Sequence, residues 1–545
     1  MGAPRPAAAA LPPLTLAIAL TLAALLAACG GGSSSTQSPT PAGSVTPADS
    51  TPGASGVCNV DLAAEAPDAT LFGAGAGDFL ADRFSLASGD FNDDGIDDIL
   101  VGAPLADAPD DSRASAGEAY VVPGEEDLAG DLDLAQDAAL LTVIGGAGGH
   151  NLGFTVAAGD VNGDGIDDAI VGARFAGPSA EAQSGEGEAY VIFGGGDLGG
   201  TLDIAAGEPD LTIVGADPGD FLSIALGSGD VNGDGIDDII LGAAGGDGPD
   251  NGRQESGEAY VVAGSEDLPA RIDLGEEEPY LTLWGAEPDD LIPNYLAAGD
   301  LTGDGRDEVL IGAPTAGLVT EGGQPRGEAY IVVAPEDAGE ELDLGDSERV
   351  TRLRGGTDAD GFGFYLTSAD INGDGSDDAI IGARDADGED DSRNNAGEAH
   401  VLFGGGDLPA SIDLAKERLD VTVVGAGLND SLGISLAAGD VNGDDIPDLL
   451  LGAALGDGCD DLAVDAGEAY VIFGRADWPD LIDLGAGGYD LSVFGAEAED
   501  DLAFSLISAD VNGDGKEDVI AGALLADGPD NSREDAGEAY VILSR

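Results

Sequence analysis

The chain is predicted to be all-β: a seven-bladed β-propeller of four-stranded antiparallel blades, with the last blade closed by an N-terminal strand. Three observations predict it. A unit of 70 residues recurs seven times. Within each unit the apolar residues fall in short runs rich in Val and Ile and bounded by Gly or Asp, which read as strands. The two ends of the chain also carry complementary parts of one unit.

The repeat has two markers. An acidic loop opens at Asp90, Asp160, Asp230, Asp300, Asp370, Asp440 and Asp510, and a GEAY or GEAH motif opens at Gly117, Gly187, Gly257, Gly327, Gly397, Gly467 and Gly537. A long fixed period means units that stack or close into a ring. In the second unit, FTVAAGD runs into the loop and DDAIVGA leaves it. GEAYVIFG follows a polar connection, and LTIVG completes the unit after a further connection containing LDIA. Several runs are apolar throughout instead of alternating, so both faces need cover, which neighbouring blades supply. The chain ends on GEAYVILSR, a third strand without a fourth, while ATLFGAG at residues 69–75 matches the fourth-strand slot. Joining the two leaves no open sheet edge. With 90 Gly and 27 Pro among 545 residues, the composition is that of a turn-rich β protein.

The formal net charge is −88, from 107 Asp and Glu against 19 Lys and Arg. Such a surface repels nucleic acid and anionic lipid, so neither is expected as a partner. At the N-terminus, Leu14 to Leu26 is too short an apolar run to span a membrane, and it ends in LAAC, which resembles a bacterial lipobox. A chance Ala/Leu-rich run is the alternative. The expected domains are a lipoprotein signal peptide at 1–28, a Gly/Ser/Thr/Pro tether at 29–56 and the propeller at 57–545, with lipidation at Cys29. The protein is then exported and membrane-anchored at the outer membrane or cell surface, and it touches membrane only through its lipid. Cys58 and Cys459 make an even pair outside the cytoplasm. Their places in the repeat put them towards opposite faces, so their pairing stays open.

The acidic loop reads D-x-N-x-D-G-x-x-D. Side chains at positions 1, 3, 5 and 9 and the carbonyl at position 7 give a shell of hard oxygen donors, which suits Ca²⁺. The expected ligands are Asp90, Asn92, Asp94, Ile96 and Asp98 in unit one, and Asp160, Asn162, Asp164, Ile166 and Asp168 in unit two. Unit three supplies Asp230, Asn232, Asp234, Ile236 and Asp238; unit four, Asp300, Thr302, Asp304, Arg306 and Glu308. Unit five supplies Asp370, Asn372, Asp374, Ser376 and Asp378; unit six, Asp440, Asn442, Asp444, Ile446 and Asp448; unit seven, Asp510, Asn512, Asp514, Lys516 and Asp518. Up to seven calcium ions are expected. Units four and six should bind most weakly, because Thr302 and Glu308 shift the oxygens and Asp445 replaces the turn glycine. An EF-hand is excluded, since position 12 is apolar in every unit, from Val101 to Ala521, and the flanks are strands. The bland alternative is an acidic Asx turn without metal, which leaves clustered carboxylates repelling one another.

These pieces together resemble the FG-GAP repeats of the integrin α-subunit propeller and its bacterial relatives. The matching stretches are GDFNDDGIDDILVGAP in unit one, LTGDGRDEVLIGAP in unit four, and the turns at Phe72-Gly73 and Phe362-Gly363. The GAP slot is loose elsewhere, holding GAR, GAA or GAL. The resemblance implies seven blades, calcium in the hairpins between strands one and two, and ligand binding on the opposite face.

No catalytic set stands out, and an enzyme is not expected. His400 fills a slot that holds Tyr in the other six units, and His150 has no Ser or Cys beside it. Arg113, Arg253, Arg393 and Arg533 recur before GEAY in units one, three, five and seven; they read as a ring that receives an anion or, the favoured reading, as pairs for nearby Asp. The function expected is a monomeric, calcium-binding, surface-tethered module that binds a protein or glycan, as in adhesion. The alternatives are a calcium-dependent lyase or hydrolase, or a passive acidic surface protein.

Overall fold

The computed structural model describes residues 59–544, apart from 110–111, 137, 178–184, 318–323, 358, 389–391, 407 and 460–462. The signal peptide, the tether, Cys29 and Cys58 lie outside the described residues. The structure is a seven-bladed propeller whose strands form seven sheets. In blade one, Leu86–Gly89, Asp98–Ala103, Glu118–Val122 and Leu141–Ile144 pair antiparallel in sequence order, running from the axis outward. The register is the same in every blade: Tyr120 faces Thr142, Tyr190 faces Thr212, and His400 faces Thr422.

The blades have five strands where four were expected. The segment holding LDIA, expected as a connection, is a strand: Gly200–Asp203 runs parallel to Leu141–Ile144 on the outer edge of the preceding blade. Its residues are exposed or half-buried, so it lacks the apolar run by which the other four announce themselves. Each unit therefore reaches back and stitches itself to its predecessor.

The same stitch explains the N-terminus. Ala69–Phe72 is the fourth strand of blade seven, with Phe72 opposite Glu538 and Ala69 opposite Val541. Just before it, Val60–Asp61 runs parallel to Leu491–Phe494 as the fifth strand of blade six. Residues 59–75 are thus the missing end of the seventh unit.

The second strand of every blade is buried along all six residues, as its unbroken apolar run predicts. The glycine that opens the GA pair is required there by close approach. A Cβ on Gly102 would lie 1.9 Å from the Gly153 carbonyl oxygen of the next blade, and one on Gly382 would lie 2.2 Å from that of Gly433. The glycine of GEAY has a second reason: Gly117 sits at φ +82°, a region that favours glycine.

The axis is filled with aromatic rings. Phe84 of blade one lies 5.3 Å from Tyr295 of blade four and 6.1 Å from Tyr365 of blade five, ring centre to ring centre, and those two tyrosines stack at 3.9 Å.

Candidate metal-binding loops

All seven acidic loops join strand one to strand two on one face, and all fold alike. The position 1 carboxylate bridges the turn: Asp90 accepts the N–H groups of Asp94 at 3.0 Å and Gly95 at 2.9 Å, and Asp160 accepts those of Asp164 and Gly165. The position 5 carboxylate accepts the N–H of position 7, as Asp94 does from Ile96 and Asp514 from Lys516. This is an Asx-turn scaffold. The glycine at position 6 takes positive φ, for instance +87° at Gly165. Asp445 in unit six adopts φ +66°, and its N–H still reaches Asp440. The expected backbone strain is therefore present, and the loop keeps its shape despite it.

Position 9 is the deepest residue of the loop. Asp98, Asp168, Asp238, Asp378, Asp448 and Asp518 are fully buried. Asp98 accepts from the Asn92 side-chain amide at 2.9 Å and from the Gly124 N–H at 3.0 Å, tying the loop to the exit of strand three. Asp168, Asp238, Asp378, Asp448 and Asp518 repeat both bonds. Burial, with the position 1 and 5 carboxylates adding, pushes the Asp98 carboxyl up to about 7 despite the Gly124 bond. In unit four Glu308 takes this place, held by the Thr302 N–H at 2.9 Å.

The donors fit a hard dication in type, since every side-chain and carbonyl group assigned to the shell offers oxygen. Among the described residues, however, no group of three His, Cys, Asp or Glu side chains could hold a metal ion as it stands. The position 1 carboxylates hold backbone N–H groups, and most of the position 9 carboxylates hold the Asn amide. A bound ion would draw these oxygens from their present donors.

The acidic residue at position 8, which belongs to none of the expected ligand sets, links five pairs of neighbouring loops. The Asp167 carboxylate of blade two accepts the N–H of Asp90 in blade one at 3.0 Å. Asp237, Asp307 and Asp377 do the same for Asp160, Asp230 and Asp300. Asp97 accepts from Asp510 and so joins blade one to blade seven. The backbone answers in reverse, as from Asp97 N–H to the Asp510 carbonyl. Pro447 holds this place in blade six and offers neither group. The signal was an acidic residue before position 9 in six units of seven.

On the opposite face the arginines pair with carboxylates. Arg113 binds Asp203, Arg253 binds Asp343, Arg393 binds Asp483 and Arg533 binds Asp133, at 2.5–2.8 Å. Each partner belongs to the fifth strand supplied by the next unit, not to the arginine's own loop as expected. Arg326 in unit four makes the same clamp with Asp413. Cys459 is disulfide-bonded, and both other cysteines lie outside the described residues.

Two places on this face break the repeat. In blade four, Arg352 replaces the Thr or Ser that faces the GEAY tyrosine elsewhere, and it grips the buried Glu328 through two nitrogens at 2.6 and 2.8 Å. A cavity of about 590 Å³ opens beside it, lined by Glu287, Asp290, Arg326, Arg354 and Asp413 among others. VTRLR in place of LTIVG was the signal for it. In blade five, His400 stands 3.2 Å from Glu398 and 3.3 Å from the Thr422 hydroxyl, beside a cavity of about 170 Å³. His150 is also buried, with no partner for Nδ1.

The FG-GAP repeat model matches residues 84–122, 152–192, 224–262, 296–332 and 503–542. The chain carries FG-GAP repeats. The five matched segments fall in blades one to four and seven, and blades five and six have the same strand order without a match. Among curated proteins, human phosphatidylinositol-glycan-specific phospholipase D is 30% identical over 233 residues, which is 43% of this chain and 26% of that one. Integrin alpha pat-2 of Caenorhabditis elegans is 28% identical over 46% of this chain and 20% of its own. Integrin alpha-5 of Xenopus laevis is 26% identical over 42% and 19%. The chain spans about a quarter or less of these relatives. Among the described residues no helix is long and apolar enough to cross a membrane.

Proposed function

We propose that this FG-GAP propeller is a calcium-stabilised binding module, exported and lipid-anchored at the outer membrane or cell surface, that captures a protein or glycan. The observation that carries this reading is the contrast between its faces. One face has the same loop in every blade. The other differs from blade to blade, in its arginines, its connections and the cavity of blade four. Repetition suits a structural ion, and variation suits recognition. The integrin alpha relatives support the same assignment. Arrays of proteins and glycans should include one that the purified propeller retains saturably in calcium, without turnover. If nothing is retained in calcium, the recognition reading falls and a passive acidic coat remains.

A second reading, a hydrolase, is favoured by the arrangement of Thr422, His400 and Glu398 beside a cavity in blade five and by the phospholipase D relatives. His400→Tyr restores the residue found in the other six blades, so the fold should survive it. Hydrolysis of phosphodiester or ester substrates that this variant abolishes would establish the second reading; equal inactivity in both forms would remove it.

A further inference from the structure

Three of the 19 basic side chains meet on the axis at the face opposite the acidic loops. Arg83 precedes the first strand of blade one, and Arg174 and Arg384 follow the second strands of blades two and five. Their guanidinium carbons stack on rings. Arg174 lies 3.4 Å from the Phe154 centroid and 4.7 Å from that of Phe175. Arg83 lies 4.8 Å from Phe84 and 5.1 Å from Phe364, and Arg384 lies 4.0 Å from Phe364. Phe84 touches Phe154 edge to face. The order Arg174, Phe154, Phe84, Arg83, Phe364, Arg384 is therefore continuous across the mouth of the axis.

The clamp arginines each hold a carboxylate, as does Arg352. Arg174 does not. It is 6% exposed and makes no hydrogen bond or ion pair among the described residues, and its Nε is buried without a partner. Burial pushes its pKa down to about 9; Asp82 opposes that shift and Arg83 adds to it. A buried unpaired guanidinium is costly, and a neighbouring like charge adds to the cost. Acidic groups beside this cluster include Asp82, whose charge acts on Arg174, and Asp385, 3.3 Å from Arg384. Arg174 thus stands buried and unpaired in a molecule that otherwise has carboxylates to spare.

We propose that this axial mouth is a receptor for one oxyanion group, a carboxylate or sulfate, gripped by Arg174 and flanked by Arg83 and Arg384. The guanidinium fork suits both groups. The group could arrive as a free ion or on an acidic sugar, whose ring could lie on the half-buried Phe175 at the rim. The proposal rests on this face being the recognition surface, but not on calcium. If the propeller captures a macromolecule whose binding ignores these arginines while anion binding persists, the surface reading fails and the receptor stands; the reverse result overturns the receptor alone.

The test is calorimetric titration of the full chain at constant ionic strength in chloride, because the net charge of the molecule otherwise dominates. The probes are inorganic sulfate, galacturonate and uncharged galactose. One saturable site is expected for sulfate or galacturonate, and none for galactose. Tighter binding of galacturonate than of sulfate would mark the glycan source, and equal binding a free-ion site. Arg174→Met keeps the stem on Phe154 and should weaken binding at least about tenfold. Arg384→Gln, nearer the rim, should weaken it less and serves if the first variant does not fold. No saturable anion binding by the parent chain, or binding unchanged in a folded variant, overturns the proposal.

Discussion

At the scale of single residues, the arginine clamp shows how the ring holds its seam. Arg533 in the last unit donates to the carbonyl of Gly73, the residue after the closing strand, at 2.6 Å and to Asp133 of the first unit. One side chain therefore pins both N-terminal contributions to blade seven. Hydrogen bonds to a charged group contribute about 1.5–3 kcal/mol, and partial exposure discounts them. Arg533→Ala should cost about 1–2 kcal/mol in denaturant unfolding. Arg113→Ala breaks the equivalent clamp away from the seam, so it should accelerate unfolding less. The clamp also predicts a pH dependence. The Arg533 guanidinium holds Asp133 down at about 2. A folded value below the unfolded one, near 3.8, gives stability that is present above pH 4 and lost as pH falls through 2. The difference between the parent chain and Asp133→Asn should shrink over that window; a constant difference would show that the ion pair contributes nothing.

At the scale of elements, four strands per blade were legible in the sequence and the fifth was not. The four are apolar because neighbours cover both their faces. The fifth lies at the rim, where half its side chains meet solvent, and a polar strand such as Gly200–Asp203 looks like a loop. The closing strand was legible because Ala69–Phe72 kept the apolar pattern. Val60–Asp61 was not, although VDLA repeats the LDLA and LDIA of other units. The loops were legible as seven copies, but the bonds between them were not, because Asp167 acts on Asp90, 77 residues away. These differences set up a truncation series. Starting the chain at residue 65 removes only the fifth strand of blade six, with Val60 opposite Val493 and the buried Leu62. A modest fall in melting temperature is expected, with the ring still closed. Starting at residue 76 also removes Ala69–Phe72 and exposes the edge of Glu538–Ile542, and exposed edges aggregate. Size-exclusion chromatography in reductant should show a monomer for the first and self-association for the second. If both remain monomeric and melt alike, the N-terminal strand does not close the ring.

At the scale of the whole molecule, a net charge of −88 works against compactness through self-repulsion. Salt and, on the proposed reading, loop-bound calcium would relieve it over different ranges. Monovalent salt shortens the screening length from about 30 Å at 0.01 M to about 3 Å at 1 M, so it acts on the surface as a whole. An ion in a loop acts only within a few ångströms, on carboxylates such as Asp90 and Asp94 and the buried Asp98. The melting temperature should therefore rise with sodium chloride and level off near molar salt. A calcium chelator added on that plateau should still lower it, because an ion that binds only the folded state would stabilise it by about 2.7 kcal/mol per site where its free concentration is about a hundred times its dissociation constant. Calcium too dilute to change the ionic strength should restore it. Magnesium, which demands near-ideal octahedral geometry, should restore much less. Asp164→Ala should lower the bound calcium by one ion per chain and leave the rest, since repeats contribute nearly independently. A chelator without effect on the salt plateau would mean that screening alone holds the loops together, and that they are Asx turns and nothing more.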